Sequence, residues 1–517
     1  MIGNSWRARA GIKLVATIYS SLPIISCIYY LSYVINRKSL LVDLFPNTFS
    51  ATLMDTSISV FLHYWLGFEL VFHLYFLMTI KRFQKLLPTV IPSKHVRKES
   101  VLNCLNNIDK FETWLEGWFI TGNKKARFDQ IYKGNFEEWL AWSFFAENLD
   151  IVRQNAEYMN EIEQIIKIIR DKKNIIFPEG YNPEVKCIRL TLDPVKAIPR
   201  PFIFYIVILL FNYVNYIVLR LFGFEHYGLN ESILNGYWSS TLEFDIQEET
   251  SRLSPSRISY WYYNPSDNAT LKKNHQKQQP IVFIHGVGGG LWFYANFVRK
   301  LYKLNRPLFL VELPYVSMRM VEDVPTMEET VREIDEMLTS KGFHKATFVA
   351  HSLGTAVCAW IIKESRKRVG GCVLIDPICF LLHYSDVAYN FIYREPSAAN
   401  EHATYLFVSR ELYISHYFSR HFHWFQSALY VTSHNSLPAN THVYLSEQDN
   451  IVPSSDVYKY LLKNNVSVHM MRGLDHSSYL FRPHWEDRIV SDVLRCCNAS
   501  RRSWSWYASQ SQNKLFS

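Results

Sequence analysis

Thr347-Phe348-Val349-Ala350-His351-Ser352-Leu353-Gly354-Thr355 is the stretch on which the fold turns. An apolar run, Ala346 with Phe348, Val349 and Ala350, leads into a serine, and Thr355 to Ile362 continues in an apolar, helix-compatible pattern. This reads as a strand, a sharp turn and a helix with Ser352 at the apex. Ala350 and Gly354 suit their positions because so tight a turn strains the apex backbone and brings strand and helix together. The result is an exposed hydroxyl whose neighbouring amide points into the same space. A helix-capping serine in an ordinary strand-to-helix turn fits these five residues equally well, so the surrounding chain has to separate the two readings.

Upstream, Ile281-Val282-Phe283-Ile284 is a continuous apolar run suited to a buried parallel strand, and it ends in His285-Gly286-Val287-Gly288-Gly289-Gly290. A glycine-rich loop there lets backbone amides approach a developing negative charge. The loop lacks the Lys-Ser/Thr ending of a P-loop and does not fit a dinucleotide fingerprint. Further strands are expected at Ile258–Tyr263, Leu308–Val311, Gly371–Ile375, Val443–Leu445 and Val468–Met471, with a helix at Thr326–Lys341 whose Glu328, Glu329 and Glu333 complement its dipole. Strand and helix alternation of this kind argues for a parallel α/β sheet.

Together these features resemble the α/β-hydrolase superfamily. A-H-S-L-G matches its G-x-S-x-G nucleophile elbow with Ala350 at the first glycine position, and His285-Gly286 with the glycines that follow resembles its oxyanion loop. The resemblance implies Ser352 as nucleophile, the amide of Val287 or Gly288 as one oxyanion donor and that of Leu353 as the other. Asp449, in D-N-I-V-P, and His476, in G-L-D-H-S, follow the last two expected strands, and Ser352, Asp449, His476 is the superfamily's Ser-acid-His order. Asp376, in L-I-D-P, resembles the position after the sixth strand from which pancreatic-type lipases take their acid, and it stays as the alternative to Asp449. Asp475 is adjacent to His476 and faces the wrong way, and Glu447 is a remoter choice. Dehalogenase or epoxide hydrolase chemistry would call for a carboxylate at the elbow, which Ser352 excludes.

Between Ile378 and about Asn440 an insertion interrupts the alternation and resembles the lid of lipases and esterases. Its aromatic residues, among them Phe380, Tyr384, Phe391, Tyr413, Phe418 and Trp424, suit an apolar acyl chain or the lid's own core. His416, His421 and His423 lack a carboxylate or cysteine at ligand spacing, so no metal and no cofactor is expected. Cys27, Cys104, Cys187, Cys358, Cys372, Cys379, Cys496 and Cys497 show neither C-x-x-C nor a disulfide framework.

The N-terminal half is different in kind. Leu14–Ile35 carries no charged residue and is long enough to cross a hydrocarbon core of ~30 Å. Ile58–Ile80 is a second apolar stretch containing His63, Glu69 and His73, and the spacing of Glu69 and His73 lets them pair on one helix face. Arg7, Arg9 and Lys13 precede the first stretch and Lys81, Arg82 and Lys85 follow the second, which marks both ends as cytoplasmic. From Pro88 to Pro199 the chain is charged and helix-periodic, with Trp114/Trp118 and Trp139/Trp142 each spaced to share a helix face. Phe202–Leu219, with Asn212 and Asn215 inside, is a third apolar stretch that either spans, separating what flanks it, or packs on the C-terminal domain.

The expected organisation is membrane segments in 1–87 (14–35 and 58–80), a Trp-rich helical region at 88–200, a third apolar segment at 201–227, an α/β-hydrolase domain at 228–500 with a lid at about 378–440, and a polar tail at 501–517. The excess of Lys+Arg 55 over Asp+Glu 47 is diffuse, which excludes nucleic acid as a partner, whereas Phe 34, Tyr 32 and Trp 14 suit a membrane interface and an apolar pocket. The expected activity is a membrane-anchored serine hydrolase of lipid or other apolar acyl esters, in an endomembrane such as the endoplasmic reticulum. This combination of N-terminal apolar segments, Trp-rich region and lid run Ser409-Arg410-Glu411-Leu412-Tyr413 resembles a group of membrane-anchored α/β-hydrolases of unassigned activity. Acyl transfer to an alcohol through the same serine, and a non-catalytic hydrolase-like scaffold, are the two alternatives.

Overall fold

The computed structural model describes residues 5–36, 53–88, 91–228, 238–239, 258–265, 278–432 and 437–513. Strands β1 (Glu225–Tyr227), β2 (Ser259–Tyr263), β3 (Ile281–Ile284), β4 (Leu308–Glu312), β5 (Ala346–His351), β6 (Val369–Ile375), β7 (Thr441–Ser446) and β8 (Ser467–Met471) form one sheet in the order β8-β7-β6-β5-β3-β4-β2-β1. From β4 to β8 all neighbours are parallel; β2 and β1 are antiparallel additions at one edge. β1 lies just ahead of the boundary expected at 228, paired through His226 to Trp261.

The apolar runs have the composition of a sheet covered on both faces. On β3, Val282 and Ile284 enter one core layer and Ile281 and Phe283 the other; on β5, Phe348 and Ala350 oppose Val349 in the same way. Helices α8 (Ala295–Tyr302) and α14 (Pro483–Asn513) cover one face, and α9 (Met327–Ser340) and α10 (Gly354–Glu364) the other. α9 starts at a capping box in which the Glu329 carboxylate accepts from Thr326 N (2.8 Å) and the Thr326 hydroxyl from Glu329 N (3.2 Å).

Before the sheet come α1 (Trp6–Asn36), α2 (Leu53–Phe83), α3 (Lys94–Asn106), α4 (Phe111–Glu116), α5 (Lys133–Phe145), α6 (Ala156–Lys173) and α7 (Phe202–Leu221). By length and composition α1, α2 and α7 can each cross a membrane. α1 and α2 pack together, with the Tyr29 hydroxyl 3.1 Å from His63 Nδ1. Glu69 does not engage His73: its carboxylate accepts from Trp65 Nε1 (3.0 Å) and from the backbone amides of Phe202 (2.6 Å) and Ile203 (3.2 Å). A buried carboxylate on α2 thus caps α7, whose start offers it orphan amides and the positive end of the helix dipole.

The Trp-rich region is a packed core joined to the lid. Trp139 and Trp142 lie on α5, whereas Trp118 lies past the end of α4 and so does not share a helix face with Trp114. All four indoles are buried in one cluster, with Trp114–Trp139 centroids 5.4 Å apart and Trp118–Trp142 5.6 Å. Trp114 and Trp118 both donate to the His383 carbonyl in the lid, and Trp424 of the lid donates to the Ser143 carbonyl. This region and the C-terminal α/β half share one hydrophobic core, and α7 packs on the α/β half, Phe211 stacking on Trp292 and Asn212 accepting from Arg319.

Candidate active site

Five neighbouring parallel strands, β3 and β5 to β8, bring the site together at their carboxyl ends, where open α/β sheets place their chemistry. β5 ends at the turn holding Ser352, whose φ of 51° is the strained left-handed conformation a sharp elbow requires. Gly354 has no room for a side chain: a Cβ would meet the carbonyl oxygens of Ile284 at 2.4 Å and His285 at 2.7 Å. The loop after β7 carries Asp449 and the loop after β8 carries His476. Ser352 Oγ lies 2.9 Å from His476 Nε2, and His476 Nδ1 lies 2.7 Å from Asp449 Oδ2. The other Asp449 oxygen accepts from Ile451 N (2.8 Å) and Val452 N (2.9 Å), which fixes the carboxylate's orientation.

Burial opposes a charge on His476, but Asp449, then Asp376 and Asp475, outweigh it and push the imidazole up to about 9. Burial also raises the Asp449 carboxyl from its ordinary value. Asp376 lies within 4.8 Å of both His476 and Asp449 but makes its hydrogen bonds to other groups. Its fully buried carboxylate accepts from Ser446 N (2.8 Å), the Ser446 hydroxyl (3.1 Å) and Ser477 N (3.0 Å), tying the ends of β6 and β7 to the His476 loop. Asp475 receives the His476 amide, and Glu447 receives the Gly473 amide.

The glycine-rich loop after β3 is held by side chains that short motifs do not reveal. His285 Nδ1–H donates to the Gly286 carbonyl and Nε2 accepts from Leu313 N (3.0 Å); burial holds this imidazole down to about 4, in keeping with a neutral ring. The Tyr294 hydroxyl accepts from Gly286 N (3.0 Å) and donates to His351 Nδ1 (2.7 Å), so His351 carries its proton on Nε2, towards the Ser477 hydroxyl at 3.2 Å. One relay therefore spans the glycine-rich loop, the elbow and the His476 loop. Of the three amides the sequence offered, Gly288 N is already committed to the Val316 carbonyl (3.0 Å). The amides of Val287 and Leu353 make no hydrogen bond among the described residues, and both residues line the cavity over Ser352.

That cavity has a volume of about 270 Å³ and a largely apolar wall that includes Ile378, Val387, Phe391, Val408, Phe418 and Ile451. Among the aromatic residues of the lid, Phe391 and Phe418 line it; most others join the lid to its surroundings. Tyr384 donates to the Asn107 carbonyl (3.0 Å), Tyr393 to Asp193 (2.6 Å), and the Tyr413 and Tyr75 hydroxyls are 2.7 Å apart. His416 stacks on Phe83 of α2. The run from Ser409 to Tyr413 is a junction: Glu411 caps helix α12 (Leu412–His416) while accepting from Tyr205 of α7 (2.7 Å), and Arg410 donates to Ile392 and Lys196 carbonyls.

Residues 279–393 match the family model for the alpha/beta hydrolase fold. Among curated proteins, the 1-acylglycerol-3-phosphate O-acyltransferase ABHD5 of Homo sapiens is 30% identical over 135 residues, 25% of this chain and 37% of that protein. Ethanol acetyltransferase 1 of Wickerhamomyces anomalus is 21% identical over 149 residues, 29% of this chain and 36% of that protein. The chain thus spans little more than a third of the length of these relatives. Among solved structures, carboxylesterase CesB (YbfK) from Bacillus subtilis aligns over 55% of this chain and 98% of its own, at 13% identity and a TM-score of 0.33. A thermophilic esterase from Thermogutta terrifontis aligns over 47% and 94%, at 11% identity and a TM-score of 0.34.

Proposed function

The chain is a member of the alpha/beta-hydrolase superfamily, and on that premise we propose that it is a membrane-anchored serine hydrolase of apolar carboxylic esters. The observation that carries the reading is the hydrogen-bonded line Ser352 Oγ, His476, Asp449 at one wall of an apolar cavity. Ser352 Oγ attacks the ester carbonyl carbon while His476 Nε2 takes its proton, and Asp449 fixes the imidazole tautomer and stabilises the cation. The carbonyl oxygen gains the negative charge and is met by the Val287 and Leu353 amides, each donor supporting about 3 kcal/mol of the barrier reduction. Collapse expels the alcohol with the proton from His476, leaving acyl-Ser352; water, deprotonated by His476, then releases the acid. The lid wall, including Phe391 and Phe418, takes the acyl chain.

The anchor in this reading is the α1/α2 hairpin, with α7 lying in the interface against the hydrolase. The basic residues in the first turns of α1 and at the end of α2 then fall on one side of the membrane, together with the active site. Acyl transfer is the second reading, favoured by the two relatives named as acyltransferases; it differs only in an alcohol replacing water at acyl-Ser352.

The test is turnover of p-nitrophenyl acyl esters by detergent-solubilised protein, with and without added alcohol. Wild type is expected to release p-nitrophenol and Ser352→Ala to give only background. Equal turnover by both would refute the serine reading, and transester product exceeding free acid would select the second one.

A further inference from the structure

We propose that the crevice between the N-terminal end of α1 and the lid helix α11 (Ala399–Ala403) binds the phosphate-class headgroup of an anionic lipid whose acyl ester enters the Ser352 cavity. This rests on the hydrolase reading above and specifies its substrate. The crevice, about 420 Å³, is lined by Trp6, Arg9, Ala10 and Lys13 from α1, and by Pro396, Ser397 and His402 from the lid. The α1 residues recur at three- and four-residue intervals and so form one stripe facing the lid, against which α1 packs. Among the described residues, the Arg9 and Lys13 side chains make no ion pair, and Arg9 is half-buried. The nearby acid Glu401 is already used: its carboxylate accepts from Ser397 N (2.8 Å) and Ala398 N (3.1 Å) and lies 3.4 Å from Arg394. The crevice therefore gathers two uncompensated cations and an imidazole, with Arg9 able to grip a phosphate through two parallel N–H donors.

Its position supplies the second argument. Lys13 immediately precedes the uncharged run from Leu14, so Arg9 and Lys13 sit where the headgroup layer meets the apolar core, and the exposed Trp6 is an interfacial side chain. On the other side of the crevice, α11 and the turn after it serve both cavities: His402 faces the crevice, while Asn400, Ala403 and Thr404 line the Ser352 cavity. A lipid drawn partly out of the leaflet can leave its phosphate against α1 while its ester passes the lid. Basic residues that only orient a membrane helix have no reason to share a lid element with the active-site cavity.

The experiment compares phosphatidic acid with diacylglycerol of the same acyl chains in neutral mixed micelles, using full-length protein. A charge-assisted phosphate contact made by two cations predicts that wild type favours phosphatidic acid in kcat/KM by about tenfold or more. Arg9→Gln with Lys13→Gln is expected to bring that ratio close to one while leaving p-nitrophenyl ester turnover and fluorophosphonate labelling of Ser352 at wild-type levels. Binding of the two lipids to Ser352→Ala protein, with and without the paired substitution, reads the same preference without catalysis. Inorganic phosphate separates the sources: weak competition supports a lipid headgroup site, and saturation by inorganic phosphate alone without any lipid preference overturns it in favour of a free-anion site. No preference in a wild type that is labelled and active also overturns the proposal but leaves the hydrolase reading intact. Loss on all substrates in the double variant overturns it as well, while absence of labelling in wild type strikes the hydrolase reading itself.

Discussion

Replacing Asp449 by Asn separates the two buried acids and probes the site's electrostatics together. The Asp449 carboxylate is 2.7 Å from His476 Nδ1 and is the chief group raising that imidazole against burial. The rise from 6.5 to about 9 corresponds to roughly 3 kcal/mol of preference for the cation that forms as Ser352 gives up its proton. Asn removes that preference and admits the wrong tautomer, for which a loss of about ten-thousand-fold in kcat is the reference. The sign of the pH effect is fixed too. His476 must be neutral to act as base, so activity in wild type rises with pH towards about 9; without the Asp449 charge the cation is less favoured and the acid limb moves to lower pH. The assay is the pH dependence of kcat/KM on a p-nitrophenyl ester for wild type, Asp449→Asn and Asp376→Asn. Asp376→Asn keeps an acceptor for Ser446 N but turns an NH2 towards Ser477 N–H, costing about 1–3 kcal/mol of stability and roughly 1–2 °C in Tm per kcal/mol for a chain of this size, with a small effect on kcat. Wild-type activity in Asp449→Asn, with activity abolished in a well-folded Asp376→Asn, would refute the assignment.

Gly354→Ala places a Cβ against two backbone carbonyls and should cost about 3 kcal/mol or more, seen as a lowered Tm or loss of soluble protein. Arg420 donates to the carbonyls of Phe83, Gln84, Lys85, Thr191 and Asp193, so Arg420→Met should destabilise by roughly 3 kcal/mol or more and speed proteolysis of the lid relative to wild type. Phe391→Trp with Phe418→Trp fills the cavity and should shift the preferred p-nitrophenyl ester to shorter chains at little cost in labelling. In sealed vesicles, an N-terminal tag and the active-site serine should become accessible to impermeant reagents together; access to one without the other would contradict the hairpin anchor.

The fold was legible because its information is local. Each parallel strand is a short apolar run, and the sharp elbow shows as small residues around Ser352. The loops carrying Asp449 and His476 could be picked out for the same reason, each directly following a strand. Partners set by tertiary contact were not legible. The i,i+4 spacing of Glu69 and His73 allows a pair on one helix face, but it does not name the neighbour that takes the carboxylate, the start of α7 more than 130 positions on. The motif alone does not show that the Gly288 amide, unlike that of Val287, is taken by the Val316 carbonyl. The same holds for Tyr294 and His351, whose relay joins loops from three strands, and for the Trp-rich region, whose indoles meet His383 across more than 260 positions.

The most direct measurement is covalent labelling of the detergent-solubilised chain by a fluorophosphonate probe, followed by mass spectrometry of the modified peptide. Stoichiometric phosphonylation of Ser352 is expected, abolished in Ser352→Ala and strongly slowed in Asp449→Asn. A wild type left unlabelled where a control serine hydrolase reacts, or labelling that persists in Ser352→Ala, would contradict the assignment of Ser352 as nucleophile.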